Sequence, residues 1–533
     1  MDSAGRVSDV RGRKGPDARR SHGVRGRSGR LLVPDSERHG ASFTRVGEWL
    51  EGTAKTWLRR DGVLAVLLIL LSLTWSAVAI GNGPAVSRYD EWTYIDYSRK
   101  VADGHVPVRG EKLATASLED WSCRGMEGRI RGVAPPPCKA AEAGRNPAKW
   151  PLKGENYNGF HPPLYFAAAG YGGKAVAAVA GTGFVTGARW ISALFVAGGV
   201  AALFLAIRAW KASRVAAFGG ALLGFADQLV ELVTAESVDA VLVSGDVYDR
   251  AIPPNDAVTL LAGAAAVWVG ARIFVHRRLG WGAPAALTAA IACTRVISLA
   301  AMVTVMIVVA LAALAPERFG LCREECDRRQ VRRRLVRVVL ANALATAGPY
   351  LAWTAWQNAR TPAGYIPAIS GLSTASVDEN GLRYVLPSIL DAYGLTDPRT
   401  DFYFQPGIKS GTTFLWADLL YVFYSLLPVV ALIGLWHSRQ RRAVALATGG
   451  GPAVAAGIVQ ARELATSASY FRTVSGRYAV SIAALYCAAA SLIADRPRWR
   501  WGLVGFAVAG YLLLMLGVVG ASSLEEVNED LRR

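Results

Sequence analysis

Charge is scarce in the long apolar runs of this sequence. Of the 533 residues, 52% are hydrophobic and 19% charged, and mean hydropathy is +0.26. A soluble chain of this length divides into several domains with polar surfaces, which this composition does not supply. The basic stretch before the first apolar run is too long for the n-region of a signal peptide, so that run is expected to be a span. No internal repeat is visible. Cysteine is limited to six positions. Cys293 and Cys487 fall in apolar runs and read as packing residues. Cys322 and Cys326 share a basic connector, but no His or further Cys completes a metal site.

The apolar residues gather instead in runs of roughly 20, the length that crosses a bilayer. The fold class is therefore an all-α polytopic membrane protein. Net charge is +18, but the positive residues sit in the N-terminal tail and between apolar runs. That is the pattern of positive-inside topology, not of nucleic-acid binding. Residues 1–60 read as a disordered basic cytoplasmic tail, 61–520 as the membrane domain, and 521–533 as an acidic outer tail. Heavy use of Ala, Gly and Arg points to a GC-rich bacterial genome, hence to a bacterial cytoplasmic membrane with the N-terminus inside.

With the basic connectors placed inside, about 11 spans alternate, and the outer loops become 82–188, 236–255, 358–413 and 464–477. Residues 161–187 are left with both ends outside. They are expected to dip in or lie along the outer face; the alternative is a full span with one misplaced connector. Cys123 and Cys138 share the first outer loop, where disulfides persist, and are expected to pair.

The first outer loop opens on SRYDEWTYIDYSRKVADGHVP, Ser87–Pro107. Asp90 and Glu91 sit beside the membrane surface, where an acidic pair is costly unless water, a cation or a substrate meets it. Asp90 equally suits the N-cap of the helix that follows. His161 and two prolines open the next apolar helix. Asn255 and Asp256 stand at another span entrance. Arg295 lies between two apolar stretches, and Arg477 and Tyr478 flank a further entrance. Cations at this depth suit a lipid-borne phosphate; pairing of Arg295 or Arg477 with Asp256 for structure alone is the competing account.

These elements, in this order, resemble the polyprenyl-phosphate-sugar-dependent glycosyltransferases of the GT-C superfamily. HPPLYF (161–166), PPNDAVTLLAG (253–263), CTRVISLA (293–300) and SGRYAVS (475–481) are similar to short elements of that superfamily. Arg295 stands where Lys is commoner. The resemblance implies a bundle of spanning helices with juxtamembrane helices in the first outer loop. It implies a polyprenyl-phosphate-sugar donor and a glycan, lipid or protein acceptor. Asp90 is then the candidate general base, with Glu91 next. His161, Asn255, Asp256, Arg295, Arg477 and Tyr478 are the candidate substrate-binding residues. No cofactor and no metal ligands are assigned, and any divalent-metal requirement stays open, as do the sugar and the acceptor. Inserts in two outer loops depart from the pattern, so acceptor recognition does not carry over. No DxD-type motif supports a nucleotide-sugar donor. The rival classes are a transporter or lipid flippase, which often shows repeated halves, and a non-catalytic scaffold.

Overall fold

A computed structural model of the chain describes residues 61–82, 91–124, 133–138, 146–237, 255–322, 326–368, 374–376, 411–471 and 476–532, with a few single positions between them. The basic tail therefore lies outside the described residues, and 58–533 form one compact unit. The elements are α1 (Asp61–Asn82), α2 (Glu91–Ala102), α3 (Thr115–Arg124), α4 (Leu164–Ala180), α5 (Phe184–Ala209), α6 (Arg214–Ser237) and α7 (Thr259–Phe274). They continue as α8 (Gly282–Ala292), α9 (Ala300–Leu314), α10 (Arg328–Arg360), α11 (Gly411–Leu435), α12 (Arg442–Ser467), α13 (Val480–Ile493) and α14 (Trp499–Arg532). The strands β1 (Thr374–Ser376) and β2 (Ser469–Phe471) pair antiparallel. Helix α14 runs on through the acidic stretch after residue 520 to Arg532.

The described residues are thus mostly helical, and their long apolar helices are those of a multi-pass membrane protein. Among the described residues, 7 helices are long and apolar enough to cross a membrane. The other predicted spans hold shorter apolar helices: Arg214–Ala226, Thr259–Phe274, Gly282–Ala292 and Val480–Ile493. Two of these are lengthened by a 3-10 turn at one end, Asn255–Val258 before α7 and Gly476–Ala479 before α13. At about 1.5 Å per α-helical residue and 2.0 Å per 3-10 residue, each turn-plus-helix reaches about 30 Å. Leu415, Leu419, Val422, Leu426 and Ile433 are exposed on α11, an apolar stripe that only lipid would cover.

The two ends of the bundle differ. One end is arginine-rich and locked by ions. Asp61, in the first turn of α1, accepts hydrogen bonds from Arg208 (3.3 Å) and Arg214 (2.6 Å). The backbone N–H of Ser213 donates to Asp495 (2.9 Å), and Arg442 donates to the carbonyl of Arg318 (2.8 Å). At the other end the first polar loop sits on the helices. Within that loop Cys123 and Cys138 form the expected disulfide, with Cα atoms 4.5 Å apart. Cys322 and Cys326 are joined as well.

Helix α4 belongs to the loop end. Its first N–H, of Leu164, donates to the carbonyl of Cys293 (3.2 Å). Its middle packs on α2 so closely that a Cβ at Gly170 would lie 2.1 Å from the Ser98 carbonyl oxygen. After the left-handed turn at Gly181 (φ 65°) the chain reaches Thr186, which faces Arg124 of the loop. Both ends of α4 therefore touch the polar-loop side. Small residues make the α4–α5 seam possible, since a Cβ at Gly187 would meet the Gly173 carbonyl at 2.2 Å.

Val179, near the end of α4, is 91% exposed and tolerates a probe where Gly170 and Gly187 do not. A cysteine there, in a background without other free thiols, is expected to react with an impermeant maleimide from the polar-loop side of the membrane. Labelling only from the arginine-rich side would make α4 a crossing helix.

Candidate functional site

The site is built from α2 outward. This helix has the composition of a solvated one, EWTYIDYSRKVA, yet nearly all of it is buried. Most of its polar groups are therefore matched, as burial demands, with Arg99 Nε an exception. Glu91 accepts from Arg189 on α5 through both oxygens, at 2.7 and 3.0 Å. Asp96 accepts from the N–H of Ala114 (2.8 Å) and from Asn156 Nδ2 (2.8 Å), and pairs with Lys100 (3.0 Å). Asn156 Nδ2 also donates to the Thr93 carbonyl (2.9 Å), and Asn158 Nδ2 to Thr93 Oγ1 (2.7 Å). These bonds sew residues 156–161 onto α2. The aromatic face completes the seam. Trp92 stacks on Trp121 at 4.2 Å and Tyr97 on Phe166 at 3.9 Å. The Tyr97 hydroxyl donates to the His161 carbonyl (2.7 Å), and burial pushes its pKa well above the usual phenol value.

A second support comes from α10. Its 33 residues make about 50 Å of helix, more than the roughly 30 Å bilayer core requires. The surplus carries Trp353 and Gln357 to the loop. Trp353 Nε1 donates to the Phe160 carbonyl (2.6 Å). The fully buried Gln357 amide donates to the carbonyls of Pro107 (3.1 Å) and Gly159 (2.8 Å) and accepts from the N–H of Arg109 (3.2 Å). One side chain thus fixes both edges of the loop.

The α8–α9 turn supplies Arg295. Its extended backbone separates α8 from the 3-10 turn Val296–Leu299, and its side chain is 3% exposed. The guanidinium donates to Thr259 Oγ1 (3.3 Å), which also meets Ser298 Oγ (3.1 Å). On the far side, β2 brings Phe471, held edge-on by the Gln460 amide through 2.9 and 3.0 Å bonds.

These pieces line an open cavity of about 130 Å³. His161, Arg295 and Tyr478, three of the residues singled out from sequence, line it together. Tyr94, Phe160, Tyr350, Trp353 and Phe471 add aromatic walls, and Arg109 and Arg462 add two further cations. No carboxylate is among the described residues of the lining. Burial, and then the positive charge of Arg462, hold the Arg109 guanidinium below its ordinary pKa. The arrangement suits an anionic ligand with an apolar or flat portion. Among the described residues no cluster of His, Cys, Asp and Glu suits a metal ion.

Glu91 lies apart from this cavity. It is fully buried and bound by Arg189, and it is not part of the cavity lining. A carboxylate with both oxygens engaged by a guanidinium holds structure and is poorly placed to take a substrate proton. Asp90 and the side chains of Asn255, Asp256 and Arg477 lie outside the described residues. Sequence reasoning missed Arg109, Arg189, Gln357 and Arg462. Arg189 and Arg462 carry a signal in hindsight, each being a charge at the edge of an apolar run; Arg109 and Gln357 carry none. Neither a family model, nor a curated protein, nor a solved structure matches the chain.

The pair gives a prediction. Removing one partner of a buried ion pair costs about 3–5 kcal/mol, while replacing both with apolar residues is often neutral. Glu91→Gln is expected to lower the melting temperature in detergent sharply, and Glu91→Leu with Arg189→Met to recover most of it. A Glu91→Gln protein of unchanged stability that had lost its activity would return Glu91 to the reacting groups.

Proposed function

We propose that the protein is a membrane glycosyltransferase of GT-C architecture with about 11 crossings. It moves a sugar from a polyprenyl phosphate to an acceptor hydroxyl at the outer face of a bacterial cytoplasmic membrane. The observation that carries this reading is the convergence of His161, Arg295 and Tyr478 on one aromatic, cationic cavity. These residues were selected from three separate short motifs, and a shared ligand accounts for their meeting.

The chemistry is a single displacement. The acceptor oxygen forms a bond to the anomeric carbon as the bond from that carbon to the phosphate oxygen breaks. The phosphate leaves with the electron pair, and the acceptor proton passes to a base. A phosphate monoester leaves readily, since its second pKa is only about 6, so no general acid is needed and one carboxylate suffices. Arg295 holds the phosphate before and after transfer, as a preorganised cation. Asp90 is the base. It immediately precedes α2, and chain length alone keeps it within about 15 Å of the Tyr94 wall. Tyr350, Phe471 and Tyr478 offer aromatic surface for the donor sugar and the first prenyl units.

Purified protein incubated with a labelled polyprenyl-phosphate sugar is expected to release polyprenyl phosphate and label an acceptor; no release from any such donor overturns the reading. Asp90→Asn keeps the size but cannot take the proton. Turnover per folded molecule should fall on the order of 10²–10⁴-fold with donor binding retained. Arg295→Ala should weaken donor binding and turnover together, and Arg295→Lys should keep much of both. A folded Asp90→Asn protein with near-native turnover moves the base elsewhere.

A further inference from the structure

Arg295 shares the cavity with two cations that are anchored differently. Its own guanidinium is tied to Thr259 at the start of α7, and Val296 and Ile297 beside it make that part of the wall apolar. Arg109 belongs to the polar loop and donates to Asn358 Oδ1 (3.2 Å) in the last turns of α10. Arg462, near the end of α12, lies over the Phe160 ring at 5.0 Å and is exposed. Helix α10 serves as a ruler between these levels. Tyr350 lines the cavity, and Asn358 stands about 12 Å further along the axis, at 1.5 Å per residue. The cavity thus has one cation set among apolar side chains and a second pair at its water-facing rim.

A lipid phosphate uses the first position, because its prenyl chain must stay with the apolar wall. The rim pair is reached from water. Two guanidinium groups lining one cavity, with no carboxylate among the described residues of that lining, gain when an anion enters beside them. Phe160 and Trp353 lie beside the pair and present the flat surface on which a sugar ring packs.

We infer that Arg109 and Arg462 form an acid-recognising subsite for the acceptor, which is a hydrophilic glycan bearing a carboxylate or a phosphate. This rests on the reading that Arg295 serves the lipid-borne donor. The geometry gives each anion its own cations: one enters from the membrane, the other from the aqueous side.

The test uses the full chain in detergent and four probes: dodecyl phosphate for the lipid position, and glucuronate, glucose 1-phosphate and glucose for the rim. Equilibrium dialysis is expected to show glucuronate or glucose 1-phosphate, or both, binding at least about tenfold tighter than glucose, as charge-assisted hydrogen bonds require. Whichever acid wins names the acid group. Arg109→Gln with Arg462→Gln should abolish that preference while dodecyl phosphate still binds. Arg462→Gln alone, a change at an exposed side chain, should weaken the acid about tenfold and guards against misfolding of the double variant. Arg295→Gln should lose dodecyl phosphate and keep the acid preference. Equal binding of the three sugars, or an acid preference that survives in the double variant, overturns the rim subsite. Loss of the acid preference in Arg295→Gln overturns it too, by showing that the cavity holds one anion. Failure of dodecyl phosphate to bind, with the acid preference intact, overturns the donor reading instead.

Discussion

The buried ion pair between Glu91 and Arg189 ties the polar loop to the membrane bundle, and the geometry of the site follows from it. The carboxylate and the guanidinium are 0% and 2% exposed. Taking two such charges out of water is expensive, and only a bidentate geometry with further partners offsets the cost. The pair does not make the fold cheap. It makes the position of α2 specific, because any displacement of α2 along α5 leaves a bare charge in a dry place. With α2 fixed, Tyr97 can hold the His161 carbonyl and Asp96 can gather Ala114, Asn156 and Lys100. The loop that carries His161 is thereby set by hydrogen bonds and not by its own stiffness.

A second constraint comes from length. Helix α10 is about 20 Å longer than a bilayer core needs. Its basic start, capped by Asp327 through bonds to the N–H groups of Arg329 and Gln330, stays at the arginine-rich end. Its far end rises into the loop, where Gln357 closes on three backbone groups from two loop segments. An unmade bond at such a buried amide costs about 1–3 kcal/mol, so the three act together. The same helix that lines the cavity at Tyr350 also anchors Arg109, and the depths of the two are linked by a rigid rod.

Much of this was legible in the sequence because it is local. Runs of apolar residues locate the helices, and the prolines after His161 locate the start of α4. Cys123 and Cys138, which share one polar segment, pair as that placement suggests. Arg295 stood out because a guanidinium between apolar stretches has few inexpensive fates, and the cavity takes it in. What stayed hidden depends on partners distant in the chain. Glu91 and Arg189 are separated by 98 positions, and Arg109 and Gln357 by 248. Nothing in the local pattern around Glu91 says that a guanidinium will meet it, yet Arg189 binds both its oxygens. Helix lengths were harder still. A 3-10 turn before α7 and before α13 adds reach without adding apolar residues to the α-helix, and hydropathy alone does not register it.

The cavity occupies the level at which these two supports meet. Below it the walls are Val296, Ile297, Ile458 and Val459; above it the chain is a polar loop held by amides and carboxylates. A ligand that is part hydrocarbon and part sugar phosphate has the same division along its length. Under the proposed function each half lies against a wall of its own polarity, with the charged junction at Arg295. The cations need not be mobile to recognise it. They are held in advance, Arg295 by Thr259 and Arg109 by Asn358, so binding spends little on ordering them. Preorganisation is what the costly buried ion pair and the overlong helix together secure.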